Sequence, residues 1–201
     1  EVPPEGSLAP ETYEVSAGAE RGSLLGRMAE LQAGNLARAW ENRADGLPYE
    51  TPEAALIMAS IVEKETSVPA ERPIVASVFV NRLRQGMRLE TDPTVIYGLT
   101  RGEGVLDRGL RRSELQARTP WNTYVIDGLP PTANPGRAAI EATLNPSDTD
   151  FVFFVADGSG GHAFARTLAE HNANVARWRE IEAGRGNADA PSQGQAGPVG
   201  D

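Results

Sequence analysis

Cysteine is absent from this chain of 201 residues, which excludes disulfides, thiolate metal sites and cysteine nucleophiles while leaving the compartment open. Histidine is scarce: His162 and His171 are the only two, too few for a histidine-rich metal centre. Positive charge is also short. The formal net charge of −9 argues against nonspecific binding to nucleic acid, which requires a cationic face. No apolar run reaches the roughly 18 residues needed to span a bilayer, and no signal peptide is visible. The chain opens at Glu1 without a methionine, which raises the expectation of a fragment whose anchor or export signal lies outside it. The length suits one well-cored domain with room for a small appendage.

What is present is concentrated near residue 65. The run Ala54-Ala55-Leu56-Ile57-Met58-Ala59-Ser60-Ile61-Val62 ends abruptly in Glu63-Lys64-Glu65-Thr66. A helix this apolar is buried on most of its circumference, yet it delivers two carboxylates at its end. A carboxylate carried into an apolar interior is costly unless paired or protonated, so this helix end is a candidate source of a general acid. Positions two apart on a helix point roughly 200° away from each other, so the two glutamates cannot serve one cleft equally. Glu65 shares its stripe with Met58, Ile61 and Val62, whereas Glu63 lies above the smaller, more polar row of Leu56, Ala59 and Ser60. Glu65 is therefore the better candidate. Removal from water and the negative end of the helix dipole would both raise its pKa. The alternative is that both are ordinary solvated residues at a helix end, and pattern alone does not decide between the two.

Around that segment the chain reads as mostly helical. Residues 1 to about 22 form an extended Pro-, Gly- and Glu-rich lead-in, followed by a helix from residue 24 to about 43. Thr51 caps the apolar helix, with Pro52 at its first position. Another helix runs from residue 73 to 85, and Asp92-Pro93 reads as N-cap and first turn of a short helix through residue 97. Residues 100 to 134 have little periodicity and read as long loops. Asn134-Pro135 again reads as cap and first turn, for a helix to residue 144. Phe151-Val152-Phe153-Phe154-Val155 is the clearest strand, returning through a glycine-rich turn to His162-Ala163-Phe164 as a hairpin. Thr167-Leu168-Ala169-Glu170 matches a capping box that opens a last helix to about residue 183. The remainder has the composition of a disordered tail. The expected division is a lead-in and linking helix over 1–50, a catalytic domain over 51–183 and the tail over 184–201.

Ala59-Ser60-Ile61-Val62-Glu63-Lys64-Glu65-Thr66 resembles the signature of the MltG (YceG-like) endolytic murein transglycosylases. The likeness continues through Val78-Phe79-Val80-Asn81-Arg82-Leu83 and Leu89-Glu90-Thr91-Asp92-Pro93-Thr94-Val95-Ile96-Tyr97-Gly98. It resumes at Asn122-Thr123-Tyr124, Gly128-Leu129-Pro130-Pro131, Asn134-Pro135-Gly136 and Gly160-Gly161-His162-Ala163-Phe164. It covers roughly residues 5 to 180; the family's N-terminal membrane helix and small LysM-like domain are missing from this sequence. The resemblance implies an α+β, lysozyme-like fold with a helical body and a small antiparallel sheet beside the cleft. It implies cleavage inside peptidoglycan glycan strands at the N-acetylmuramic acid to N-acetylglucosamine link, leaving 1,6-anhydro ends, with Glu65 as the catalytic residue. No metal and no cofactor are implied. Glycan strands are the implied partner, with cell-wall synthesis enzymes as candidates beside them. The implied location is the periplasm, held to the inner membrane by a single N-terminal anchor.

The same resemblance implies that Glu63, Asn81, Thr91, Asp92, Tyr97, Asn122, Tyr124, Asn134 and His162 hold sugars or support the site. Each has a structural alternative: Asp92 and Asn134 read first as helix caps, His162 equally as a structural hydrogen-bonding residue, and His171 as a core histidine. Asn122 and Tyr124 lie in a loop without an evident capping role and read as sugar contacts. Two other functions stay open at this stage. One is a noncatalytic peptidoglycan-binding scaffold. The other is conventional glycoside hydrolysis, which needs a second acid, with Asp92 or Glu63 as the nearby candidates.

Overall fold

The computed structural model describes residues 2–188; of the tail expected over 184–201, residues 189–201 lie outside them. In order, the elements are α1 (Arg21–Glu41), α2 (Pro52–Glu65), a 3-10 turn (Pro69–Glu71), α3 (Arg72–Arg84), α4 (Asp92–Thr100), α5 (Arg112–Gln116), α6 (Arg137–Leu144), β1 (Phe153–Ala156), β2 (His162–Ala165) and α7 (Leu168–Ala188). The fold is α+β, helical with a two-stranded antiparallel sheet. No helix among the described residues is long and apolar enough to cross a membrane. The chain forms two compact units, divided between Val152 and Phe153.

In the first unit α2 is the central rod, packed against α1, α3, α4 and α6. It starts where Thr51 Oγ1 accepts the Ala54 N–H at 3.2 Å, with Pro52 in the first turn. The apolar run explains its place: Met58, Ala59, Ile61 and Val62 are all fully buried. Ser60 is buried within the run and acts as a clip. Its Oγ donates to Ile57 O at 2.7 Å and accepts the Thr132 N–H at 3.1 Å, which ties the 129–134 loop to the helix.

α3 carries Val75, Val78, Phe79 and Val80 into the same core. It also carries Arg82, only 8% exposed. Its Nε donates to Val152 O at 2.7 Å, and its Nη1 donates to Arg88 O and Leu89 O at 3.0 and 2.9 Å.

In the second unit β1 and β2 pair with Phe153 opposite Ala165 and Ala156 opposite His162. β1 begins two residues later than the expected strand. The carbonyls of Phe151 and Val152 already accept bonds from Asn81 and Arg82 and so are occupied before the ladder begins. The turn closes through Asp157, which accepts from Ser159 N and Oγ at 2.7 Å each. Gly158 sits at φ +87°, and a Cβ there would lie 2.9 Å from Ile181 of α7, so both conformation and space select glycine. The capping box forms as expected: Thr167 Oγ1 accepts Glu170 N, and Glu170 Oε2 accepts Thr167 N. α7 runs past the expected end at Ala183 to Ala188.

Three local expectations are corrected. The expected loop over 100–134 contains α5, closed by Glu114, whose Oε2 accepts Arg111 N at 2.7 Å and whose Oε1 pairs with Arg108 at 2.6 Å. Asp92 is the first residue of α4 rather than its cap; the N-cap is Thr91. Asn134 does not cap α6, whose N-cap is Gly136. In both cases the side chain is engaged far along the chain: Asp92 Oδ1 accepts from Tyr124 Oη and Asn134 Oδ1 accepts from Leu8 N.

Candidate active site

The two glutamates at the end of α2 have different neighbours, as their angular separation requires. Glu63 Oε2 accepts the Gly136 N–H at 3.0 Å and its Oε1 lies 4.0 Å from Arg72. It therefore places negative charge at the N-terminus of α6, where the helix dipole favours it. Glu65, the last residue of α2, follows the buried stripe of Met58, Ile61 and Val62 and faces the start of α4. Its pKa is pushed up to about 7, chiefly by burial; Thr91 and Arg82 pull it down and Asp92 pushes it further up. The residue is half-buried, so it is enclosed by protein without being sealed off.

The segment that faces Glu65 is held from both sides. Arg82 binds the carbonyls of Arg88 and Leu89 and, at 3.2 Å, the carboxylate of Glu90. Glu90 itself lies at φ +53°, a left-handed conformation that costs a non-glycine residue free energy. From the other side the 122–124 loop pins the next two residues. Thr123 O accepts Glu90 N at 3.3 Å and Thr123 Oγ1 accepts Thr91 N at 3.0 Å. Thr94 Oγ1 donates to Thr91 O at 2.8 Å and lies 2.9 Å from Thr123 Oγ1. This buried hydroxyl cluster fixes the Thr91 backbone. The Thr91 hydroxyl itself is buried with no hydrogen-bond partner of ordinary length and angle, although it stands near enough to Glu65 to lower that carboxyl's pKa. One residue on, the exposed Asp92 carboxylate accepts from Tyr124 Oη at 2.7 Å. The Tyr124 phenol is pushed up, first by burial and then by the bond to Asp92, with Glu65 and Glu90 adding to the effect. Glu65, Thr91, Asp92 and Tyr124 thus form one constellation.

The other expected site residues lie as follows. The Asn81 amide donates to Thr149 O and Phe151 O at 2.7 and 3.0 Å, so it fastens the chain that follows α6. Asn122 corrects the sugar contact expected of it: it is fully buried, and its amide donates to the carbonyls of Glu114, Leu115 and Ala117. No donor of that amide remains for a ligand. Tyr97 Oη donates to Glu5 Oε2 at 3.1 Å. His162 opens β2 in the second unit, edge-on to Phe154 with ring centroids 5.3 Å apart, and His171 stacks on Phe153 at 5.1 Å. Arg82 was not singled out by sequence reasoning. The available signal was a charged residue close behind the apolar run Val78-Phe79-Val80, as Glu65 stands close behind Ile61-Val62.

Beside the end of α2 a groove of about 490 Å³ is floored by Pro93, Ile96 and Tyr97 and edged by Lys64, Thr100 and Thr132, with residues 102–105 as a further wall. Lys64 and Pro93 are the chain neighbours of Glu65 and Asp92, so the groove adjoins the constellation. A cavity of about 440 Å³ between α1 and α6 is lined by Arg38 and Arg137 among others, but these cations are already bonded to Asn35 and Glu141.

Fold and site together define an α+β domain that presents an enclosed carboxyl at the end of the apolar helix α2, next to a groove. The chain belongs to the YceG-like family, whose family model matches residues 2–177. It is similar to the protein named endolytic murein transglycosylase of Bacillus subtilis (strain 168), 44% identical over 119 residues, which are 58% of this chain and 32% of that protein. It is also similar to the protein of the same name from Streptococcus pneumoniae serotype 2 (strain D39 / NCTC 7466), 31% identical over 181 residues, 86% of this chain and 32% of that protein. The chain spans about a third of the length of these curated relatives. Its fold matches the crystal structure of a putative yceG-like protein from Listeria monocytogenes with a TM-score of 0.70 at 34% identity, covering 84% of this chain and 54% of that one.

Proposed function

We propose that this chain carries the catalytic part of an endolytic murein transglycosylase, which cuts within peptidoglycan glycan strands using Glu65 as single general acid and base. What supports this most directly is the enclosure of the Glu65 carboxyl at the end of α2, which pushes its pKa up to about 7. A carboxyl with that pKa is substantially protonated near neutrality and can donate to a glycosidic oxygen.

The reaction then needs only one protein carboxyl. Glu65 gives its proton to the bridging oxygen as the bond from C1 of N-acetylmuramic acid breaks. The C6 hydroxyl of the same sugar attacks C1, and its proton passes to the Glu65 carboxylate, which restores the starting state. An attached, well-oriented hydroxyl reaches an effective molarity on the order of 10⁵ M or more, so the second carboxylate of ordinary glycosidases is dispensable. The adjoining groove, with its apolar floor of Pro93, Ile96 and Tyr97 and its polar edge, suits a sugar chain lying across the site. Peptidoglycan lies outside the cytoplasmic membrane, so the domain acts there, in a longer protein anchored by a segment before this one and placed near cell-wall synthases.

Glu65→Gln is the test. It is expected to lower release of soluble glycan fragments from purified sacculi by at least about 10²-fold with an unchanged circular dichroism spectrum. A folded Gln variant as active as the parent would instead fit a binding scaffold.

A further inference from the structure

The cavity between α1 and α6 is lined by amides and guanidiniums, and it shares no lining residue with the groove beside Glu65. Asn35, Arg38 and Asn42 stand on its α1 side, with Arg137, Glu141 and Asn145 opposite. Asn35 is only 5% exposed, yet it lines this hollow of about 440 Å³. Its Oδ1 accepts Arg38 Nη2 at 2.7 Å, while its amide N–H groups meet no acceptor among the described residues. A donor held this deep calls for an acceptor. The bonds to Asn35 and Glu141 each occupy one donor of a guanidinium, which has five, so both cations retain donors. Gly34 makes room for the first of them: a Cβ there would stand 3.3 Å from Arg38 Nη1.

The charges favour a single negative ligand. Two guanidiniums against the one Glu141 carboxylate leave one net positive charge, which suits a carboxylate better than a doubly charged phosphate. Asn42 donates its amide to Arg38 O at 2.7 Å, which leaves its Oδ1 to accept a peptide N–H. Glu141 and Asn145 also line a second hollow of about 280 Å³ on the α3 side of α6, walled in part by Pro69, Pro73, Ala138 and Ala142. Arg72 lines it too and lies 4.0 Å from Glu63. A grip for an anion that continues along apolar walls matches a chain and not a lone ion. We propose that these joined hollows bind a short peptide that ends in a free carboxylate and carries a small apolar side chain. The carboxylate meets Asn35 and Arg38, and the side chain enters the second hollow. The proposal rests on the murein reading only for the source of the ligand, because murein strands bear short peptides.

The test is isothermal titration calorimetry of the full chain with N-acetyl-alanyl-alanine, in its L and D forms, at millimolar concentration. At least one form is expected to bind, and the same peptide with its carboxylate amidated to bind at least about 10-fold more weakly. Asn35→Asp keeps the size of the side chain but replaces the donor with a negative charge. Arg38→Gln removes a cation from an exposed position. Each is expected to weaken binding at least about 10-fold with an unchanged circular dichroism spectrum. Glu65→Gln is expected to bind as the parent does, so the fate of this site and that of the catalytic reading are measured apart. Binding of the L form alone upholds the site and removes murein as its source, since murein peptides end in D-alanine. No heat of binding, equal binding of the amidated peptide, or unchanged affinity in Arg38→Gln overturns the proposal. So does binding of inorganic phosphate in place of the peptide.

Discussion

In the unfolded chain Glu65 titrates at an ordinary glutamate value near 4.5, and in the folded protein at about 7. Between those values the folded state holds the proton more tightly, so unfolding releases protons and stability falls as pH rises through that window. Below it both states are protonated and the shift costs nothing; above about pH 7 the cost is complete, at up to about 3 kcal/mol. The chemistry of the site is thus set against the stability of the fold. Glu65→Gln, which cannot ionise, is expected to be more stable than the parent at about pH 8 by up to ~3 kcal/mol and nearly equal to it at about pH 4. Urea denaturation at the two pH values measures this. Equal stability at both would mean that the carboxyl is well solvated.

At the scale of elements, the site depends on how residues 88–92 are held against α2. Arg82 is the chief fastening, joining α3 to three backbone carbonyls and one carboxylate. Arg82→Met keeps the length of the side chain but leaves those carbonyls without a donor. It is expected to cost about 3 kcal/mol in chemical denaturation, with cleavage falling further than the lost folded fraction explains. A stability change under about 0.5 kcal/mol would show that the segment holds its place without Arg82.

This scale also separates what local sequence encodes from what it does not. Thr51-Pro52-Glu53 followed by the nine apolar or small residues from Ala54 to Val62 locates α2, and Thr167 with Glu170 locates the start of α7, because those signals act over three or four residues. The caps expected at Asp92 and Asn134 failed for the opposite reason. Their side chains are taken by Tyr124 and Leu8, 32 and 126 residues away in the chain, and no local pattern records such partners. α5 is only five residues long, too short to show a period, and is held by the Arg108–Glu114 pair instead of an apolar face.

At the scale of the whole molecule, the stripe argument and the family motif reached Glu65 by separate routes. The first used only helix geometry and burial, and the second used only likeness. The family motif includes Thr91, Thr94 and Thr123, but the bonds by which the Thr94 and Thr123 hydroxyls fix the Thr91 backbone were out of reach of both routes. The bonds from Thr123 join residues about thirty positions apart, and threonine carries no pattern that marks it as buried and bonded. The sequence supplies the candidate acid, and the fold adds the frame around it. The two units are each compact, and Glu65, Thr91, Asp92 and Tyr124 all belong to the first.

The most direct test of a single-carboxyl mechanism is to digest purified glycan strands in water enriched in oxygen-18 and weigh the new ends by mass spectrometry. Attack by the sugar's own C6 hydroxyl is expected to leave ends lighter than hydrolytic ends by one water and free of the heavy isotope. Reducing ends that carry oxygen-18 would show that water is the nucleophile, and would contradict the account.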